Sequence, residues 1–417
     1  MAGSVPVIVE QHVEGLALLW STRRTLATSG QLSLTQLARF DHRIAAHEDG
    51  CVVAGDASIA KLVEELQDAN AARLFAVSVV ALQTKRRAIM DRCLMVAEAV
   101  PDAVAGLTSA LGWVDAPQLA GIGRELLDST DAFRRSVGLA ACRVHSVDPG
   151  PALLSALADS DNRVRAEALR TAGTLGKVEL VSVCLDALSA EDALVRFWAA
   201  WAAVILGDRR RGLDALARDA ETVSISRSQA FRVALQAMST NAAHKTLQGF
   251  AGATELSPWV IQGSGVAGNS AYVPWLIGQM SDEKTARLAG EAFSLISGAD
   301  LALLDLERTP PEAFESGPND DPADTNVAMD EDDGLPWPDV VKIEKWWATS
   351  ESRFQKGTRY FMGAPVTREH CIDVLKNGYQ RQRILAAHYL CLLEPGTPLF
   401  NTSAPAWRQQ RLLAKMT

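Results

Sequence analysis

The sequence predicts an all-α fold in which helix pairs stack in series as an α-solenoid. Three observations predict it. A helical motif returns at a fixed interval, its residues are those that start a helix and pack it closely, and a second helical stretch precedes each copy. The stretch DNRVRAEALRTAGTLG (161–176) shows the motif. Thirty residues upstream stands DAFRRSVGLAAC, and 31 downstream stands DALVRFWAAWAA. Such an echo marks stacked copies of one structural unit.

Taking the elements in order, residues 1–50 lie outside the repeat phase and read as two helices. The second, SLTQLARFDHRIAAHEDG (33–50), opens with Ser33 and Gln36 spaced as a capping box. This pair is expected to act as an N-terminal helical cap that shields the first repeat from water. His42 and His47 are five apart, a poor same-face spacing for a metal.

The repeat proper is expected over 51–308, as about eight units. Its in-phase positions are Arg73, Val104, Arg135, Arg165, Arg196, Arg227, Ser257 and Arg287, at intervals of 31, 31, 30, 31, 31, 30 and 30 residues. Stretches such as PALLSALADS (151–160) and VELVSVCLDALSA (178–190) supply the first helix of each unit. Asp131, Asp161 and Asp192 stand where an N-cap belongs, able to accept from the free N–H groups of the second helix. Together with Glu283 they also precede an in-phase Arg by four residues, the spacing of an i,i+4 ion pair. An exposed pair of that kind contributes only ~0.3–0.5 kcal/mol, so its recurrence speaks of geometry. Ala and Gly within the helices let neighbours approach, and stacking buries faces that one unit alone cannot.

These segments resemble HEAT-like repeats, especially the short bacterial variety of about 30 residues. The resemblance covers roughly 56–300 and returns at 371–393, where an Arg-then-small-residue helix surrounds Arg383. It implies a solenoid fold and leaves function open, because solenoids host binding far more often than any one chemistry.

Residues 309–341 break the pattern. They hold ten acidic residues and no Lys or Arg, which places the whole net charge of −9 in this one segment and leaves the remainder near +1. High Pro, Asp and Gly content reads as an acidic flexible linker. DEDDG (330–334) lacks the ligand order of a calcium loop. Residues 342–417 then read as a C-terminal helical subdomain with one further repeat-like unit. Its start is dense in aromatics: Trp346, Trp347, Phe354, Tyr360 and Phe361. They are either a nucleic-acid stacking set or, the preferred reading, an anchor of the C-terminal subdomain onto the last repeats.

Composition bounds the class. Hydrophobic content of 48% and charged content of 22% belong to a folded protein. The longest apolar run, 197–207, is eleven residues, too short to span a bilayer. The first fifteen residues have no basic n-region, and Glu10 and Glu14 interrupt them, so no secretory signal is expected. Six cysteines with no CxxC pair read as free buried thiols in a reducing compartment, hence a cytoplasmic location.

Catalytic motifs are few. GSGVAG (263–268) is formally GxGxxG, yet it falls where the second helix of the seventh unit belongs and has no βαβ context. It reads as a glycine-rich helix. There is no GxSxG, and Cys371 beside His370 cannot face it across one helix. Hydroxylases built on HEAT-like repeats carry a His-Glu dipeptide in several repeats to hold iron; here only His47-Glu48 occurs, outside them. HEAT-like DNA glycosylases need a basic face, and the arginines here are largely offset by local acids. The expectation is no enzyme, no cofactor and no metal.

Three blocks carry a further resemblance: LARFDHRIAAHEDGCVVAGD, LPWPDVVKIEKWWATSESRFQKGTRYFMGAP and GYQRQRILAAHYLCLLEPGTPLFNTSAPAWRQQ. They resemble an uncharacterised proteobacterial family of HEAT-like proteins whose genes often lie beside type VI secretion spike and effector-adaptor genes. The resemblance implies an adaptor or chaperone that grips an effector, a spike-tip protein or a second adaptor. The expectation is therefore a non-enzymatic protein-binding scaffold. Candidate contact residues are Arg135, Arg165 and Arg196, with Trp198 and Trp201, and Trp346 and Trp347 further on. An inter-repeat ladder plus core is the competing reading of the first five. The alternatives in function are a nucleic-acid binder and a structural subunit of a larger assembly.

Overall fold

The computed structural model describes residues 5–221, 227–250, 257–312 and 332–416. Among them are 22 α-helices and two small ribbons, Glu307–Arg308 with Trp337–Pro338 and Tyr360–Phe361 with Ala364–Pro365. The fold is an all-α solenoid of helix pairs. All eight in-phase segments are second helices of a pair: Ala71–Gln83, Val104–Trp113, Ala132–Val144, Asn162–Thr174, Ala193–Ile205, Arg227–Ala237, Ser257–Ala267 and Ala286–Ser297.

Local chemistry explains where these helices begin. The Asp131, Asp161 and Asp192 carboxylates accept from backbone N–H groups of Arg134, Arg163 with Val164, and Val195. Asn70 does the same for Ala72 and Arg73. The acid is thus committed to capping, and the in-phase Arg is used differently from the i,i+4 pair expected. Arg135 donates to the Ser129 and Thr130 carbonyls at 3.1 and 2.8 Å, and Arg196 to those of Ala190 and Glu191 at 2.7 and 2.6 Å. Arg73 reaches the Asp68 carbonyl at 2.7 Å. The reason is directional. A helical Cβ leans toward the N-terminus, so a long side chain one turn into a helix reaches back past the cap. It meets the orphan carbonyls that close the preceding helix, where partial negative charge gathers. Arg73, Arg135 and Arg196 are turn clamps.

Two compact units result. The first comprises 1–28, 32–212 and 394–417; the second comprises 29–31 and 213–393. The stretch 342–417, expected as one subdomain, is therefore divided near residue 394.

In the first unit, Pro6–Leu26 and Leu34–Ala54 form the N-terminal pair, and the Ser33–Gln36 capping box is present. The first of these helices packs on Ala71–Gln83. One continuous core runs from Leu16 and Ile44 through Phe75 to Leu107 and Trp113. Small residues set the spacing: a Cβ on Gly106 would collide with the Ala71 carbonyl oxygen. After the solenoid, residues 394–405 run as an irregular strap across the C-terminal ends of successive second helices. Pro395 lies against Gly207, the Leu399 N–H donates to Thr174 O at 2.8 Å, and Asn401 Nδ2 donates to Val144 O at 3.4 Å. Arg408, on the last helix, donates to Gly112 O and Val114 O at 2.7 and 2.8 Å. The Leu399, Asn401 and Arg408 contacts each supply a donor to carbonyls at a helix end.

In the second unit, Phe293, Leu276 and Ile261 of the repeats share a core with Ile343, Trp347 and Tyr360. Residues 263–267 of GSGVAG lie within the helix Ser257–Ala267, where a Cβ on Gly265 would stand 2.8 Å from Ala292 Cα, and Gly268 follows it at φ +70°. Gly265 serves close helix packing, and Gly268 the turn beside the Tyr360 carbonyl. Arg368–Asn377 and Gln380–Leu393 form a further pair, and buried Arg383 clamps the Leu375 carbonyl at 2.8 Å. Of the acidic stretch, 313–331 lie outside the described residues. Its last part is packed, because Trp337 is buried under the Arg287 guanidinium at 5.0 Å and Arg287 pairs with Asp332 at 3.1 Å.

Candidate functional site

Second helices of the first unit open onto a groove of about 790 Å³. Beneath its surface lies a layer of buried aromatic side chains: Trp20, Phe75, Trp113, Phe133 and Trp198. Trp20 and Phe75 stack at 5.3 Å, and Phe75 meets Trp113 edge-on at 5.9 Å. The strap closes one edge with Asn401, Ser403, Ala404 and Pro405.

The charged wall comes mainly from one helix. Arg163, Glu167 and Arg170 are spaced i, i+4, i+7 on Asn162–Thr174 and therefore share a face. Arg143, from the neighbouring helix, holds Glu167 with Nε at 2.6 Å, while Arg170 approaches the same carboxylate only to 3.9 Å. The Arg170 guanidinium lies over the Trp198 ring at 4.4 Å, and that of Arg163 over Phe133 at 5.8 Å. Burial, then repulsion from Arg143, lower Arg170 to about 10, so it stays cationic at neutral pH.

The strap is fixed by a buried ion pair. Asp41 is fully buried and takes Arg23 Nε at 2.5 Å and the Ala406 N–H at 2.6 Å. Arg23 also donates to the Ser403 and Ala404 carbonyls at 3.0 Å each. Every buried polar partner of this clasp is thereby matched.

The structure separates the candidates read from sequence. Arg135, Arg165 and Arg196 do not line the groove. Arg135 also pairs with Asp159 at 2.8 Å, and Arg165 donates to Asn162 Oδ1 at 2.7 Å. Trp198 does line it, and Trp201 lies behind, fully buried and edge-on at 5.4 Å. Trp347 is buried and Trp346 half-buried in the second unit, packed on Phe293 at 6.2 and 5.7 Å. Trp347 belongs to the core of that unit, and Trp346 packs against it. Trp20, Phe75, Trp113, Phe133 and Arg143 were missed. A signal for part of this set existed: Phe133 and Arg163 precede an in-phase Arg by two, while Phe75, Glu167 and Trp198 follow one by two. The groove is read two residues away from the marker.

Among the described residues, no group of three or more His, Cys, Asp or Glu is placed to hold a metal. Burial pushes the thiols of Cys51, Cys184, Cys371 and Cys391 up to about 12, leaving them unreactive at neutral pH. No helix among them is long and apolar enough to cross a membrane.

A family model of HEAT repeats matches residues 150–236. The repeats are HEAT-like. The matched HEAT-like stretch includes Arg163, Glu167, Arg170 and Trp198. No curated protein and no solved structure matches the chain.

Proposed function

We propose that the protein is a non-enzymatic scaffold that holds a segment of a partner protein in the groove of its first unit. HEAT repeats are commonly protein-interaction scaffolds. The observation that carries the reading here is a concave groove of about 790 Å³, backed by buried aromatic rings and framed by the strap and by charged side chains that reach it. Arginine is among the residues enriched where proteins anchor a partner.

The resemblance of the three sequence blocks supports a finer proposal: an adaptor or chaperone of type VI secretion, holding an effector, a spike-tip protein or a second adaptor in the cytoplasm. The test is affinity purification of the tagged chain from its native host, with mass spectrometry of what accompanies it. Two folded variants are run alongside, Leu194→Glu at the exposed groove lip and Thr108→Trp, which fills the groove. A secretion component recovered with the unaltered protein and lost with both variants supports the proposal. Recovery of nucleic acid with no protein partner, or a partner retained undiminished by both variants, overturns it.

A further inference from the structure

We infer that the groove recognises an extended, acidic segment of the partner carrying two carboxylates three residues apart. The inference rests on the scaffold reading and names the chemistry that the groove selects. Arg163 and Arg170 both line the groove, and neither guanidinium donates a hydrogen bond to any described residue. Their nearest carboxylate oxygens, on Asp161 and Glu167, stand 3.9 Å away. Asp161 is committed to its N-cap and Glu167 to Arg143 at 2.6 Å. The Arg170 guanidinium is stacked on Trp198 of the following helix at 4.4 Å, and the exposed Arg163 guanidinium leans toward Phe133 of the preceding helix at 5.8 Å. A stacked arginine with its donor fork free is set for bidentate capture of a planar anion.

Spacing gives the rest. Seven helical residues advance about 10.5 Å along the axis and return to nearly the same face. A polyproline-type segment advances about 9.3 Å in three residues and also returns to the same face. An acidic residue at each end of such a triplet is therefore spaced to meet one arginine apiece. Arg143, Arg163 and Arg170 against Glu167 leave this wall cationic, with Glu98 exposed on the opposite lip. A segment that runs along the Asn162–Thr174 wall places its acids toward the arginines.

The test is fluorescence anisotropy with the full chain and three labelled proline-rich peptides, alike except at the core: Glu-Pro-Pro-Glu, Gln-Pro-Pro-Gln, and Glu-Glu-Pro-Pro. The expected result is saturable binding of the first, with Glu-Glu-Pro-Pro weaker by about tenfold and Gln-Pro-Pro-Gln by about a hundredfold, as loss of one and of two charge-assisted contacts implies. Arg163→Gln and Arg170→Gln are each expected to cost about tenfold. Arg170→Lys, which keeps the charge but loses the fork, recovers only part of it. Equal binding of the Gln peptide, indifference to all three substitutions in proteins with unchanged circular dichroism, or a thymidine oligonucleotide displacing the peptide overturns the inference. A native partner captured through the groove while the Glu-Pro-Pro-Glu peptide fails to bind also overturns it, and leaves the scaffold proposal standing.

Discussion

Replacing Asp41 with Ala is expected to free the C-terminal strap. The carboxylate is fully buried and satisfies two groups at once, the Arg23 guanidinium at 2.5 Å and the Ala406 N–H at 2.6 Å. Arg23 is itself 7% exposed. Removing the acid strands a buried cation, which costs about 3–5 kcal/mol, and leaves an unpaired N–H whose penalty of ~1–3 kcal/mol partly overlaps it. Arg23 retains the Ser403 and Ala404 carbonyls, so a net loss near 4 kcal/mol is the working figure, roughly the middle of the broken-pair range. For a unit of this size each kcal/mol lowers Tm by about 2–4 °C, which gives a fall on the order of 10 °C. Asp41→Asn keeps an acceptor for the Ala406 N–H and should lose about half as much. The assay is calorimetric melting joined to amide hydrogen exchange. Exchange should accelerate first at Leu399, Ala406 and Arg408, whose backbone or side-chain bonds tie the strap to the repeats. A melting point within about 2 °C of the unaltered protein, with strap exchange unchanged, would refute the claim that this pair holds the strap.

Two further outcomes follow from packing and burial. Gly106→Ala forces a methyl into the Ala71 carbonyl, a backbone atom that cannot rotate away, so the first unit should lose about 3 kcal/mol, readable as a lowered urea midpoint. An unchanged midpoint would show that the two helices have room to separate. In the second unit, burial and then the Arg232 charge push His388 down to about 3 from an ordinary 6.5. Below 6.5 the unfolded chain takes up a proton that the folded one refuses, so stability falls with falling pH by about 1.4 kcal/mol per unit until the folded group titrates. Between pH 7 and pH 5 the second unit should lose roughly 2 kcal/mol more than His388→Gln does under the same exchange measurement; parallel profiles would place the acid sensitivity elsewhere.

The repeat was legible because its determinants are local. An N-cap acid acts within three residues, and helical phase is carried by residue spacing alone, so Asp131, Asp161 and Asp192 marked the helix starts without tertiary information. The role of the in-phase arginines was not legible. An acid four residues before an Arg is the signature of an ion pair, yet the cap geometry occupies the acid and the Cβ direction sends the Arg to carbonyls of the preceding turn. The aromatic run at 346–361 carried no sign of whether it faced solvent; Phe293, from a repeat about fifty residues earlier, decided that.

By itself the sequence determined the helix pairs, their interval and their caps. It also held two of the blocks that meet in the clasp, around Asp41 and Ala406, without showing that they touch. Only the tertiary structure decided that, because those residues are 365 apart and their contact leaves no periodic trace. It decided likewise which arginines face the groove. Arg165 and Arg163 differ by two places on one helix, about 200° of rotation, which sends one to the Asn162 side chain at the helix start and the other toward the Phe133 ring at the groove. Rotation about the helix axis is fixed by what the helix packs against, and packing partners come from the whole chain.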